Sequence, residues 1–218
     1  MFQREIEQEL LNLAQDYPVV TVIGPRQSGK TTVVKSAFPQ KKYVNLEFPD
    51  VRSMALGDPR GFLEQFPEGG ILDEIQRAPE LLSYIQPIVD ERDQKGMFIL
   101  TGSHQMELQE AVSQSLAGRT ALLTLLPMNL LELQQAGFDL SIDEWLLKGG
   151  YPRIYKDSLD PTKAYRNYVQ TYVERDLRQL IQVKDLLQFE RFIQILAGRT
   201  GQILNMEEIG GEIGLSSH

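Results

Sequence analysis

Along the first 126 positions, short β-branched and aliphatic runs alternate with longer stretches in which apolar residues recur at helical spacing. Val19-Val20-Thr21-Val22-Ile23 has no polar face and is closed by Gly24-Pro25, which predicts a strand covered on both sides. Tyr43–Glu47, Gly70–Asp73, Met97–Leu100 and Thr120–Leu126 predict four further strands. Between them, helices are predicted over Phe2–Gln15, Gly29–Ala37, Asp50–Phe66 with an interruption around Gly57–Pro59, Pro79–Asp93 and Gln105–Leu116. Strands separated by helices imply an α/β fold with a parallel sheet. Beyond Pro127 the strand pattern stops. Asn129–Ala136, Ile142–Lys148, Thr162–Ile181 and Leu187–Ala197 all carry helical spacing, so a boundary is expected near Pro127.

Composition narrows the chemistry. The 218 residues contain no cysteine and two histidines, His104 and His218, which excludes disulfides, thiol catalysis and zinc or iron–sulfur sites built on cysteine. A net charge of −8 argues against coating nucleic acid by bulk charge. Residues 151–200 are locally basic at +3, a footprint that a solvated helix face explains equally well. The most apolar stretch, Ala121–Leu131, is too short to span a bilayer and the opening residues do not read as a signal peptide, so a cytoplasmic protein with no membrane partner is expected.

The first predicted strand runs directly into Gly24-Pro25-Arg26-Gln27-Ser28-Gly29-Lys30-Thr31-Thr32, which satisfies G-x-x-x-x-G-K-[ST] at every fixed position. Between a strand and a helix, such glycines let backbone N–H groups and a helix N-terminus point at phosphate oxygens. Lys30 would neutralise β- and γ-phosphates, and the Thr31 hydroxyl would hold Mg²⁺. The strand Gly70–Asp73 ends in Asp73-Glu74. Asp73 suits a carboxylate in the outer shell of the Mg²⁺ ion, and Glu74, expected to diverge from it by strand alternation, suits the orientation or deprotonation of a water. The fourth strand ends Leu100-Thr101-Gly102-Ser103, where either Thr101 or Ser103 is placed to donate to a phosphate. His104 reads as a surface or capping residue. Arg119, expected on the sheet's C-terminal side, is either a cation for a neighbouring copy's γ-phosphate or a helix C-terminal charge beside Gly118.

Taken together these stretches resemble the AAA+ superfamily, and within it the prokaryotic predicted ATPases with an AAA+ core, a helical lid and a large C-terminal domain of unknown function. The resemblance rests on Gly24–Thr32, Ile71-Leu-Asp-Glu-Ile-Gln76 with Pro79, Leu100–Ser103, Leu116–Arg119, Gly149-Gly-Tyr-Pro-Arg153, Tyr172–Asp176 and Leu196–Gly201. It implies a five-stranded sheet in the order 5-1-4-3-2, with the core at 1–127, a helical lid at 128–200 and the start of a winged helix-turn-helix at 201–218. In that last segment Ile209, Ile213 and Gly214 suit the first helix and its turn, and the recognition helix would begin beyond Ser216. The resemblance further implies ATP and Mg²⁺ as ligands, slow hydrolysis, a finger role for Arg119 and a lid-arginine role for Arg153. A sensor position often filled by asparagine is here Ser103 or Thr101.

The leading expectation is a Mg-dependent AAA+ ATPase, a hydrolase driving a change in a partner or in a C-terminal domain, with self-association as one route to completing its site. The alternative is a nucleotide-gated interaction module with negligible turnover. A P-loop kinase is disfavoured because Asp73-Glu74 suits water rather than an acceptor hydroxyl. DNA association has only weak support, from the basic segment and the helix-turn-helix start, and the absence of Lys or Arg after Arg199 argues against it. Adenine contacts are expected from Tyr17-Pro18 and from the lid.

Overall fold

In the computed structural model, residues 2–103, 106–173 and 186–214 are described. His104, Glu174–Asp176 of the Tyr172–Asp176 stretch and Ser216 lie outside the described residues. Two compact units are present, one up to Pro161 and one from Thr162 on.

The first unit holds β1 (Val19–Gly24), β2 (Lys42–Asn45), β3 (Gly70–Asp73), β4 (Phe98–Ser103) and β5 (Thr120–Thr124) in one sheet ordered β2-β3-β4-β1-β5. All four pairings are parallel, and the expected order 5-1-4-3-2 is the one observed. Helix α1 (Ile6–Asp16) precedes β1, and α2 (Lys30–Ala37), α3 (Pro49–Gly57), α4 (Pro59–Glu64), α5 (Leu81–Arg92) and α6 (Met106–Ser115) connect the strands; together they cover both faces. Successive side chains of a strand point to opposite faces. Val19, Ile23, Leu72, Phe98 and Leu100 therefore join Phe62, Leu82, Ile85 and Val112 in one core. Val20, Val22, Ile71 and Ile99 join Leu10, Val33 and Val34 in the other. Each such fully buried apolar side chain contributes about 1.5–3 kcal/mol, and every position of β1 and β4 is buried.

Among the described residues no strand follows β5. Helices α7 (Leu130–Gln135), α8 (Ile142–Lys148) and α9 (Pro152–Lys156) belong to the first compact unit, which runs to Pro161. The reason is local. Met128 N donates to Gly150 O at 2.7 Å. A Cβ on Gly150 would lie 2.0 Å from Met128 O, so only glycine lets the two segments meet. Phe138 packs edge-on against Tyr155 at 5.1 Å and stands 6.1 Å from Phe2, tying these helices to the N-terminal residues. Helices α7 and α8 each begin with a full capping box, Asn129 with Glu132 and Ser141 with Glu144.

In the second unit, α10 (Pro161–Tyr168), which begins at the junction, continues as a π turn over Val169–Val173. Helices α11 (Leu186–Gly198) and α12 (Met206–Glu212) follow. Arg199 is paired with Glu208 at 2.8 Å and with Glu212 at 2.5 Å, and Ile209 and Ile213 are buried. Gly214, with φ 77°, follows at the expected turn position.

Candidate phosphate-binding site

The C-terminal ends of β1, β3 and β4 meet beside the Gly24–Thr31 loop. Gly24 has φ 154°, and a Cβ on it would stand 2.1 Å from Leu125 O, so the loop leaves β1 through a gap that only glycine fits. Gln27 (φ 63°) and Gly29 (φ 98°) are both left-handed, and Gly29 caps the N-terminus of α2. Pro152 Cγ lies 3.9 Å from where a Gly29 Cβ would be, so the Gly149–Arg153 stretch borders the loop. Pro25, Arg26 and Gln27 are half-buried, Ser28 is buried and Thr32 faces solvent one residue beyond Thr31.

Lys30 is buried, and its Nζ donates to Gly24 O at 3.0 Å and to Pro25 O at 2.9 Å. Burial lowers its pKa from the ordinary lysine value; Glu74 and then Asp73 oppose the shift, and Arg26 adds to it. Asp73, only 2% exposed, accepts from Thr31 Oγ1 at 3.0 and 3.1 Å, from Tyr43 OH at 2.7 Å and from Thr101 Oγ1. Burial, and then the bond to Asp73, push the Tyr43 phenol well above its usual range.

Asp73 and Glu74 diverge, although not through strand alternation. The strand ends at Asp73, and Glu74 turns left-handed at φ 61°, ψ 47°, which sends its carboxylate toward Gln76. The Gln76 amide donates to Glu74 and, at 3.4 Å, to Ser103 Oγ. Thr101 Oγ1 also accepts from Glu74 N at 3.3 Å. Thr101 thus serves the Asp73 side, while Ser103, level with Gly24 in the β1–β4 ladder, serves the Glu74 side.

Two placements differ from expectation. Arg119 lies at the sheet's N-terminal edge, because its carbonyl accepts from Val19 N at 3.1 Å, at the start of β1. The loop is five residues further along that strand, roughly 16 Å away. Its guanidinium pairs with Asp90 at 2.5 and 2.7 Å and donates to Ala117 O at 3.0 Å. Tyr17 and Pro18 sit at the same far edge, where their carbonyls accept from Gly96 N and Phe98 N, so they are removed from the loop. Arg153 is largely exposed and pairs with Asp157 at 3.1 Å.

Three contributors were not anticipated: Tyr43, Gln76 and Arg4. Tyr43 carried a signal, since it stands two residues before Asn45, the partner of Asp73 across β2 and β3, and diagonal neighbours on a sheet lie within reach of a long side chain. Gln76 stood inside the Ile71–Gln76 motif. Arg4 stood inside the predicted Phe2–Gln15 helix as one polar residue among several.

The arrangement suits a polyphosphate with a divalent cation. The loop offers a helix N-terminus, a buried ammonium and a buried Ser28 hydroxyl that no group among the described residues satisfies. Among the described residues no cluster of three or more His, Cys, Asp or Glu forms a metal cage. The hydroxyl–carboxylate pair of Thr31 and Asp73 fits Mg²⁺, which takes one or two protein oxygens and completes its shell with substrate phosphates and water.

Sheet order, loop and acidic strand end define a P-loop nucleotide-binding protein. Residues 16–134, more than half of the chain, match the family described as AAA domain, and the chain belongs to that family of P-loop ATPases. Residues 139–218 match the family described as Domain of unknown function (DUF8612). The chain is 32% identical over 196 residues to the uncharacterized proteins Rv2008c of Mycobacterium tuberculosis and Mb2031c of Mycobacterium bovis, covering 88% of this chain and 43% of each relative. It thus spans less than half the length of these relatives. Among solved structures it is similar to AMPPCP-bound DnaA from Aquifex aeolicus (15% identity, 95% of this chain and 74% of that one, TM-score 0.48). It is also similar to a Walker-type ATPase of Pyrococcus abyssi (13% identity, 98% and 90%, TM-score 0.47). No helix among the described residues is long and apolar enough to cross a membrane.

Proposed function

We propose that the chain binds ATP with Mg²⁺ on the Gly24–Thr32 loop and hydrolyses it slowly, with water as nucleophile. The observation that carries this reading is the pair of diverging carboxylates beside the loop: Asp73 faces Thr31, and Glu74 faces Ser103 and Gln76. Thr31 and Asp73 would hold the cation, which when bound supplies charge neutralisation at the phosphates. Lys30 exchanges the Gly24 and Pro25 carbonyls for β- and γ-phosphate oxygens, which leaves its ammonium paired with real negative charge. Glu74, released by Gln76, orients the water and takes its proton, while Ser103 donates to the reacting phosphate. Arg119 is too far from its own loop to take part there, so its finger role belongs to a neighbouring copy's nucleotide. Turnover would then drive an unidentified protein partner.

A second reading, a nucleotide switch with negligible turnover, is favoured by one observation: both candidate catalytic groups are engaged elsewhere, Glu74 by Gln76 and Arg119 by Asp90. One experiment separates the two. Steady-state ATP hydrolysis is measured against protein concentration for the wild type and Glu74→Gln, beside Mg-ATP binding. Specific activity that rises with concentration and disappears in the variant, with binding retained, supports the ATPase. Tight binding without turnover in either protein supports the switch, and absence of binding refutes both.

A further inference from the structure

Arg4 is 5% exposed and makes three hydrogen bonds on three different segments. Its Nη1 donates to Ser28 O at 2.8 Å, its Nη2 to Leu126 O at 2.7 Å and its Nε to Glu132 Oε1 at 3.0 Å. Glu132, 4% exposed, is saturated in turn: Oε1 also accepts from Glu5 N at 2.9 Å, and Oε2 accepts from Asn129 N at 3.0 Å as the closing half of the α7 capping box. A buried charge pair persists only where the remaining hydrogen-bonding capacity is met, and here it is met by backbone on both sides.

The Ser28 contact bears on chemistry. A trans peptide is planar, so its C=O and N–H point in opposite directions. A guanidinium that holds the Ser28 carbonyl from behind therefore sets the Gly29 N–H toward the other side of the loop. That amide belongs to the N-terminus of α2, where phosphate oxygens are received. Leu125 O closes on Gly24 of the same loop, and the bridge to Leu126 O ties Arg4 to this segment.

We propose that Arg4 is a positioning residue for the phosphate loop: its fork fixes the 28–29 peptide and locks the loop to the end of β5 and to α7, so that phosphate binding and the seating of α7 are coupled. The inference rests on the nucleotide-binding reading above for its ligand, but its geometric half stands without one. Arg4 acts through the Ser28 carbonyl. Lysine at this position keeps the charge and reaches Glu132, but a single nitrogen cannot serve Ser28, Leu126 and Glu132 along three directions.

The test uses Arg4→Lys and the double variant Arg4→Met/Glu132→Met, which removes the buried pair as a whole. Melting temperature, amide hydrogen exchange without nucleotide, and Mg-ATP affinity by calorimetry are recorded for each. Expected are folded proteins in which exchange of the residue 24–31 amides accelerates at least tenfold while that of β4 is unchanged, and in which affinity falls about tenfold or more. Recovery of wild-type loop exchange and affinity in Arg4→Lys would reduce Arg4 to a charge and overturn the positioning role. So would values within threefold of wild type in the double variant, or failure of both variants to fold, which would make Arg4 a stability residue. A wild type that binds no Mg-ATP refutes the nucleotide reading and the coupling with it, while the exchange comparison still decides the loop geometry.

Discussion

Tyr43→Phe isolates one contact of the acidic site. It deletes the hydroxyl that donates to Asp73 at 2.7 Å and leaves the ring, over which Lys35 Nζ sits at 4.0 Å. A hydrogen bond to a charged group contributes about 1.5–3 kcal/mol. Asp73 keeps Thr31 and Thr101 as donors, which places the expected loss near the lower figure, roughly 1.5 kcal/mol. For a unit of this size that lowers the melting temperature by roughly 3–6 °C. The pH dependence gives a sharper check. In the folded protein the Tyr43 pKa is raised, by burial first and by Asp73 next, above the value of about 10 for a free phenol. The contribution is therefore fully present below about pH 10 and is lost as pH rises through the folded value, because a phenolate cannot donate and repels the carboxylate. Urea unfolding of both proteins between pH 7 and 11 should show a constant gap up to about pH 9.5 and a closing gap above it. Equal stability at pH 7, or a gap that widens in alkali, would refute the account of Asp73 as a carboxylate held by Tyr43.

Gly24→Ala forces a methyl against Leu125 O and should lower stability by about 3 kcal/mol or more, seen as an early urea midpoint; a midpoint unchanged from wild type would mean that the loop can leave β1 by another path. Lys30→Met removes an ammonium whose burial lowers its pKa, so the ligand-free protein should melt at or above the wild-type temperature while the rise caused by Mg-ATP disappears. A retained Mg-ATP shift would remove Lys30 from the site. Arg119→Ala breaks an exposed pair with Asp90 and should barely move the melting temperature or nucleotide affinity, yet flatten the dependence of specific activity on concentration. An unaltered concentration dependence would take the finger role away from it.

The parts of this site that were legible in the sequence are those in which chemistry permits few residue types at fixed spacing. Gly24, Gly29, Lys30 and Thr31 are of that kind, and so is a carboxylate at the end of an apolar strand. Strands β1, β3 and β4 were legible because two covered faces leave no room for polar alternation, although β4 runs three residues beyond the expected Leu100, since Thr101 and Ser103 are polar yet buried. Helix α9 escaped notice because five residues are too few to show a period. Arg119 was misplaced although its position was readable: a residue just before a parallel strand must lie at the sheet's N-terminal edge. Arg4 had no local signal. Its partners lie 24, 122 and 128 positions away, and only the folded chain brings them together.

The place of β1 in the sheet has a consequence for synthesis. Of the five strands of the sheet it is translated first, yet its neighbours are β4 and β5, which end at residues 103 and 124. At about 5–20 residues per second, a nascent chain carries this unpaired apolar segment for several seconds before either side is available. The strand that launches the loop is also the one whose edges stay open longest. The growing polypeptide therefore presents an apolar, association-prone stretch before the sheet exists to receive it.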